Sequence, residues 1–506
     1  MDRSLAGPTA DRSPYRPPAR STATERAVES SEDATRYLCV AAYRDARFRK
    51  AVLAQIEESG HKAIAPLYGL DLKAIVAHCA AARRRDRSRS AIVLVSAIGW
   101  MLLAAIVLND GQDHSSAIVA SFVYGAWLAA AALDFHMRYA ILPSLTRTRF
   151  ATTELPRLST GLEALVDRRV RELEGNVVVY TGYNPFVGSG LPAESWSFAV
   201  DVTKPRRDFG VAKIPGPVDI AELNMHVADA LTATQISGLR LRGEVYVNGM
   251  DVRTHTALLA EGDGPPSTTL DGAALTALMT AGDTCVRYYT HAFVRSWNGE
   301  LMLSLFYRFS RVGQNLFSEA SVMVLPPSKE EYRVVDSLPT RPTLRGVVAV
   351  LGGAIVSGPF VAIGAMMKAL SAPTAALERA AKRRRERREM RENPCYDFGA
   401  GVSIRELGMS DQYLRYFQRI DREMYGKVLE RQLLATVCSY LEARDIDTSE
   451  LVERQSTILN TGVILAGTSI QGENVVLGKS IKAAFKSLRS ARANGGTSGT
   501  QPAPAR

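Results

Sequence analysis

The residues able to do chemistry are few and scattered. Asp251, His255 and His291 stand out in the central region. Asp251 and His255 are four apart, but no spacing ties His291 to them, and a lone acid–histidine pair does not make a site. His78 and Cys79 are adjacent, so their side chains point to different faces, and a packed or solvated histidine is the reading there. The five cysteines, Cys39, Cys79, Cys285, Cys395 and Cys438, form no CxxC pair. An odd, widely spaced set reads as reduced thiols, not disulfides or zinc ligands. The loop TGYNPFVGSG, residues 181–190, has the glycines of a phosphate cradle. It lacks the Lys-Ser or Lys-Thr pair and the following helix that such a cradle needs. It reads as a structural loop, with a candidate ligand rim at Tyr183, Asn184 and Phe186. No motif asks for a cofactor or a metal.

The remaining chemistry is charge. Arg83, Arg84, Arg85, Arg87 and Arg89 stand immediately before an apolar run, AIVLVSAIGWMLLAAIVL, residues 91–108. A second run, AIVASFVYGAWLAAAAL, residues 117–133, follows a polar, acidic turn, NDGQDHSS. A helix rises about 1.5 Å per residue and the hydrocarbon core is about 30 Å thick, so each run is just long enough to cross. Basic residues stay on the cytoplasmic side. Residues 91–135 are therefore expected to be a transmembrane helical hairpin with both flanks inside. Ser121, Gly125 and Ala129 form a small-residue ridge on which another helix can pack closely.

A third apolar segment, residues 346–367, carries Arg341 and Arg345 before it and KRRRERREMR, residues 382–391, after it. A single crossing would put one basic flank outside, against the charge rule. A true span, a re-entrant segment and burial in the cytosolic domain all stay open. The run holding Arg383, Arg384, Arg385, Arg387 and Arg388, within residues 374–393, is expected to be a juxtamembrane helix facing anionic lipid head groups. With net charge +10 and pI near 9.3, the basic residues cluster beside apolar segments and are not interleaved with aromatics. Lipid bilayer is the partner this implies, and nucleic acid is not.

The elements that hold these residues follow from periodicity. Residues 1–33, rich in Pro, Arg and Ser, and 489–506 are expected to be disordered tails. Residues 34–90 read as a helical cytoplasmic region, with one helix from Thr35 to Gly60 and a second from Asp71. Residues 155–335 read as a cytoplasmic α+β domain on an antiparallel sheet. Its clearest element is a hairpin turning at Asn298-Gly299, expected as a two-residue type I′ corner. A helix from Pro217 carries Pro in its first turn. Residues 395–478 read as a helical C-terminal module. A long helix, residues 410–443, bears the stripe Phe417, Ile420, Met424, Val428, Leu434, Val437 and Leu441, and Asp447 and Glu450 cap a second helix. Gly462, Gly467, Gly472 and Gly478 punctuate a closing β-hairpin. The fold class is α+β with transmembrane helices.

Four segments, TRYLCVAAYRDARFRKAVL, YNPFVGSG, SWSFAVDV and SWNGELMLSLFYRFSRVG, resemble an uncharacterised family of actinobacterial integral membrane proteins. The resemblance touches much of residues 35–470. It implies a membrane location and brings no activity with it.

Three functions remain. The first is an integral membrane protein holding a large cytoplasmic module at the inner face of the cell membrane for sensing, scaffolding or assembly. The second is a membrane-bound enzyme with its site in residues 155–335. The third is an oligomeric pore-type effector, a homo-oligomer driven by residues 461–478. The apolar runs hold no charge to mark an ion path, which argues against a transporter.

Overall fold

A computed structural model describes residues 33–57, 60–108, 115–209, 211–259, 265–280, 285–338 and 342–455. The two expected tails (Asp33 apart), most of the turn between the first two apolar runs and the glycine-punctuated hairpin lie outside those residues. The chain divides into two units, Met1–Ile446 and Asp447–Arg506. In the second, the Ser449 N–H donates to Asp447 Oδ1 at 3.1 Å, opening a helical stretch that is described to residue 455.

The first unit begins with two short helices, α1 (Asp33–Arg44) and α2 (Ala46–Glu57). The single helix expected from Thr35 is broken at Asp45. Its carboxylate accepts from the N–H groups of Arg47 (2.8 Å) and Phe48 (3.0 Å), which caps α2 and stops α1. Helix α3 (Leu72–Val107) follows, capped by Asp71, whose Oδ1 accepts from Ala74 N–H at 2.9 Å. Its first part is buried with α1, α2 and α5 (Thr160–Leu173) in a core that includes Leu38, Phe48, Ile75, Leu145, Val166, Tyr332 and Ile404. Its second part is apolar and outward-facing, with Val95, Ile106 and Val107 strongly exposed.

Helix α4 (Ser115–His136) runs antiparallel to α3, and the first part of the long helix α8 (Leu344–Glu392) packs against both. These three helices are long and apolar enough to cross a membrane: Leu72–Val107, Ser115–Leu145 and Leu344–Ser371. Their shared seam is small: Val93, Ala97, Ala126, Ala130, Ala354 and Ala362. Gly125 lies against Ser96 and Trp100, and Ser96 Oγ donates to the Gly125 carbonyl at 3.0 Å. Of the expected ridge, Gly125 sits in the seam, while Ser121 Oγ turns back to the Ala117 carbonyl of its own helix.

The sheet has six strands in the order β1-β3-β4-β5-β6-β2. They are β1 (Val177–Tyr180), β2 (Leu191–Asp201), β3 (Leu239–Asn248), β4 (Val286–Ser296), β5 (Leu301–Val312) and β6 (Asn315–Leu325). β1 pairs with β3 in parallel, Val177 opposite Val245 and Tyr180 opposite Asn248, so the sheet is mixed, not antiparallel as expected. The chain leaves β1 for the far edge as β2 and returns through helix α6 (Ile220–Thr232), so β3 enters in the direction of β1. Asp219 caps α6, its Oδ1 accepting from Ala221 N–H at 2.8 Å. Pro217 therefore precedes the helix instead of opening it.

The β4–β5 hairpin is present, but its corner is wider than two residues. Ser296 and Leu301 form the last pair, and Trp297, Asn298 and Gly299 all take left-handed backbone (φ 55°, 53° and 76°). The wider corner lets the Trp297 indole donate to Asp421 at 2.9 Å and Asn298 Nδ2 donate to Asp33 at 3.2 Å.

Helices α6, α7 (Gly272–Thr280) and α9 (Tyr416–Glu442) cover one sheet face. Residues 395–446 thus belong to the same compact unit as the sheet. Leu434, Val437 and Leu441 of the expected α9 stripe are buried, but Phe417, Met424 and Val428 face outward. The buried side of the first turns carries Gln418 and Gly426 instead. An apolar pattern read alone does not say which side the sheet approaches.

Candidate functional site

Three arrangements could serve function. The first is the basic flank of α3. Arg83 forms a two-pronged pair with Glu57 (2.7 and 2.6 Å), and Arg89 does the same with Asp134 (3.0 and 2.8 Å). Arg85 donates to the Leu133 carbonyl at 2.9 Å, and Arg84 donates to the Arg157 carbonyl. Four of the five arginines therefore staple α3 to α2, α4 and the segment before α5. Arg87 is exposed.

The second is the basic end of α8. Arg383, Arg384, Arg385, Arg387 and Arg388 are all exposed. Arg388 pairs with Glu392 at 2.8 Å and Lys382 with Glu386 at 3.5 Å, both one turn apart on the same helix. Met390 is buried among Val177, Val179, Tyr396 and Phe398, and Arg253 donates to its carbonyl. At the other end of α8, Thr343 caps the helix and Gly346 lies against Tyr139. Both ends of α8 thus meet residues of the same unit.

The third is a buried polar cluster on the second sheet face, which sequence reasoning missed. Glu244 on β3 and His291 on β4 are both buried, and His291 Nδ1 lies 3.2 Å from Glu244 Oε2. The same carboxylate accepts from the hydroxyls of Tyr246 (2.6 Å) and Tyr68 (3.1 Å), with Arg242 4.0 Å away. Burial alone would raise the Glu244 carboxyl, but hydrogen bonds from His291 and Tyr246 and the Arg242 charge hold it below the usual carboxylate range. Burial pushes the His291 ring below its ordinary value, so it is neutral at pH 7. A carboxylate can only accept, so the neutral ring carries its proton on Nδ1. Nε2 is then a bare acceptor, and it has no hydrogen-bond partner among the described residues.

A carboxylate orienting a neutral imidazole is the geometry of a general-base pair. Here the ring is fully buried, stacked on Phe306 (4.1 Å) and roofed by Tyr68 and Phe293 (4.8 Å each). As packed, it is a closed core element whose Nε2 has no partner among the described residues. A glutamate in a strand gives no periodicity signal to reveal it. The other sequence candidates stay apart from it: Asp251 and His255 flank a short 3-10 turn after β3. His78 packs edge-on to Tyr43, which fits the packed reading. Among the described residues, no group of three His, Cys, Asp or Glu side chains is placed to hold a metal.

The 181–190 loop resolves its own ambiguity. Asn184 Oδ1 accepts from Phe186 N–H at 3.0 Å, a local turn bond, and Phe186 stacks on Phe306 in the core. Tyr183 alone stands free in solvent. Gly188 and Gly190 do present their N–H groups to an anion, but the anion is Glu406 Oε1, at 2.8 and 3.1 Å. Glu406 Oε2 accepts from Ser403 N–H at 2.8 Å. The chain fills its own cradle.

The model of one family, the AbeC-like domain, matches residues 195–475, more than half of the 506 residues. The chain belongs to the AbeC-like domain family. The AbeC-like region opens within β2 and takes in β3 to β6, the third apolar helix and α9. β1 and the first two apolar helices lie before it. No curated protein and no solved structure matches the chain.

Proposed function

We propose that this is an integral protein of the bacterial cell membrane that holds its sheet-bearing unit at the inner face, for sensing, scaffolding or assembly. One observation carries the reading. Helix α3 belongs to two cores at once: Leu72, Ile75 and Cys79 lie in the helical core beside the sheet, and Val93 and Ala97 lie in the apolar three-helix seam. The anchor and the module are joined by continuous helix, not by a linker. The exposed apolar side chains of α3, α4 and α8 support lipid as their surroundings, because contiguous apolar surface on this scale is rare on soluble proteins. The four segments that resemble actinobacterial integral membrane proteins support the same reading.

Because α9 packs on the sheet, the residues before and after α8 lie on one side, which favours α8 lying in the membrane without a single crossing, and the basic flanks favour the inner face for that side. Cys285 and Cys395 are exposed, whereas Cys39, Cys79 and Cys438 are buried. A membrane-impermeant thiol reagent is expected to label neither exposed cysteine in intact cells and both after permeabilisation. Labelling of Cys395 in intact cells would overturn the sidedness. Release of the chain from membranes by alkaline carbonate would overturn the anchoring itself.

A second reading, a membrane-bound enzyme, has the Glu244–His291 pair in its favour. It requires the segment carrying Tyr68 to lift from the sheet and expose Nε2. Hydrolytic or proton-transfer activity lost in His291→Gln, with unchanged thermal stability, would support it.

A further inference from the structure

The six-stranded sheet has two edges, and the described residues close only one of them. Beside β1, the Thr181 N–H donates to the Ala400 carbonyl at 3.0 Å, and the Ala400 N–H donates to the Val179 carbonyl at 2.9 Å. The other edge is β2. Among the described residues, β6 is the one backbone partner of residues 195–201. An open strand edge is a row of unpaired N–H and C=O groups, which proteins ordinarily blunt with proline, lysine, a bulge or a cover. β2 has such devices at its start, in Pro192 and the register shift between Pro192 and Glu194. From Ser195 to Asp201 the strand, SWSFAVD, pairs regularly and has no Pro, Gly, Lys or Arg. Ser195, Ser197 and Ala199 are exposed on one face. On the other, Phe198 and Val200 are buried, and the Trp196 ring stacks on Phe198.

We propose that residues 195–201 of β2 pair with the same residues of a second copy of this chain, antiparallel about a two-fold axis at Phe198. The occupant follows from the register. That axis uses the whole regular stretch and stops short of the shift at Pro192 and Glu194. It sets Ser195 opposite Asp201 of the second copy, Trp196 opposite Val200, and Ser197 opposite Ala199, each pair occurring twice. These are a hydroxyl with a carboxylate, an aromatic with a branched aliphatic, and two small residues, all of them pairs that antiparallel strands accept. Asp201 Oδ1 already accepts from the Thr203 N–H (2.9 Å) and hydroxyl (2.6 Å), and a carboxylate has acceptor sites to spare. Asp201 is the one charge in the stretch, so no like charges meet. Main-chain hydrogen bonds supply the attraction, and the alternating side chains fix the register. The pairing rests on the sheet alone, not on the anchoring.

The test uses the full chain with its exposed thiols removed by Cys285→Ser and Cys395→Ser. Two tagged copies, one with Ser197→Cys and the other with Ala199→Cys, are coexpressed and oxidised in native membranes. Opposed positions have Cβ atoms about 4.5–5.5 Å apart, so a mixed disulfide dimer is expected. Ser195→Cys in both copies sets the thiols about 20 Å apart along the strands and is expected to give none. No mixed dimer, or as much dimer from Ser195→Cys as from the opposed pair, would overturn the proposal. Affinity is read by sedimentation of the full chain in mild detergent. Ser195→Asp creates two like-charge pairs and is expected to weaken the dimer roughly twofold to thirtyfold, whereas Ser195→Lys, opposite the same carboxylates, should match or exceed wild type. Ser195 is exposed, so both variants should keep the wild-type melting temperature. Equal dissociation constants for the three proteins would overturn the proposal, as would cross-links that form in detergent and vanish in native membranes.

Discussion

Gly358 is the residue whose replacement tests the three-helix bundle most directly. A Cβ added there would lie 2.9 Å from the carbonyl carbon and oxygen of Ala126 and 3.0 Å from Trp127 Cα. Ordinary contacts between carbon atoms are about 3.5–4.0 Å. The atoms met are backbone of α4, which cannot swing aside, so Gly358→Ala must push α8 away from α4 by about 0.5–1 Å. Overpacking of this kind costs about 1–3 kcal/mol. Gly352, Gly353 and Gly364 sit in the same helix with nothing near the added atom. Alanine there should be neutral or gain up to about 1 kcal/mol from helix propensity. Chemically identical substitutions a turn or two apart are thus expected to differ by roughly 1–4 kcal/mol. The assay is an SDS titration of the detergent-solubilised chain followed by tryptophan fluorescence, since Trp100 and Trp127 line the contact. If Gly358→Ala resists SDS as well as Gly353→Ala does, α8 does not pack on α4 as described, and the three-helix seam is wrong.

Two further outcomes follow from buried acids. Glu430 on α9 is buried against β2, where the Trp196 indole donates to it at 3.0 Å and Glu194, Arg422 and Lys427 are its charged neighbours. Burial first, and then Glu194, raise its carboxyl to about 7. An acid held protonated by the fold loses stability as pH rises from its unfolded pKa, near 4.5, to its folded value, and the loss then levels off. That amounts to roughly 3 kcal/mol at most. Thermal melts between pH 5 and 7.5 should show this decline, and Glu430→Gln should flatten it; a wild-type profile that rises across that range contradicts the assignment. Glu244→Ala strands His291 Nδ1–H and the hydroxyls of Tyr68 and Tyr246 in a dry core. A cost of about 3–5 kcal/mol is expected, read as a lowered melting temperature, and a loss below about 1 kcal/mol would mean the cluster is solvated.

The membrane-length helices were legible in the sequence because length and lack of charge are local properties. So were the strands, through their period of two, and the β4–β5 hairpin, through Asn298-Gly299. What escaped depends on partners distant in the chain. Glu244 and His291 are 47 residues apart and meet only when β3 pairs with β4. The 181–190 loop is built to receive an anion, and nothing nearby says that Glu406 supplies it. The α3 arginines read as free charge because Glu57 and Asp134 look like ordinary surface acids until the helices pack. The parallel β1–β3 pairing hides for the same reason, since strand order is a property of the whole crossover.

The helical core beside the sheet has a consequence for synthesis. Leu38 and Ile75 come from the start of the chain, Tyr332 and Ile404 from near its end. Ribosomes add about 5–20 residues per second, so the gap between Ile75 and Ile404 lasts on the order of 20–60 s. During that interval the first two hydrophobic helices emerge, while the amphipathic helices ahead of them wait with their sticky sides bare. A nascent chain stalled before Ile404 would leave that surface open. Chaperone cover for the leading helices, and rapid proteolysis of truncated products, are therefore demands written into the order in which the polypeptide is made.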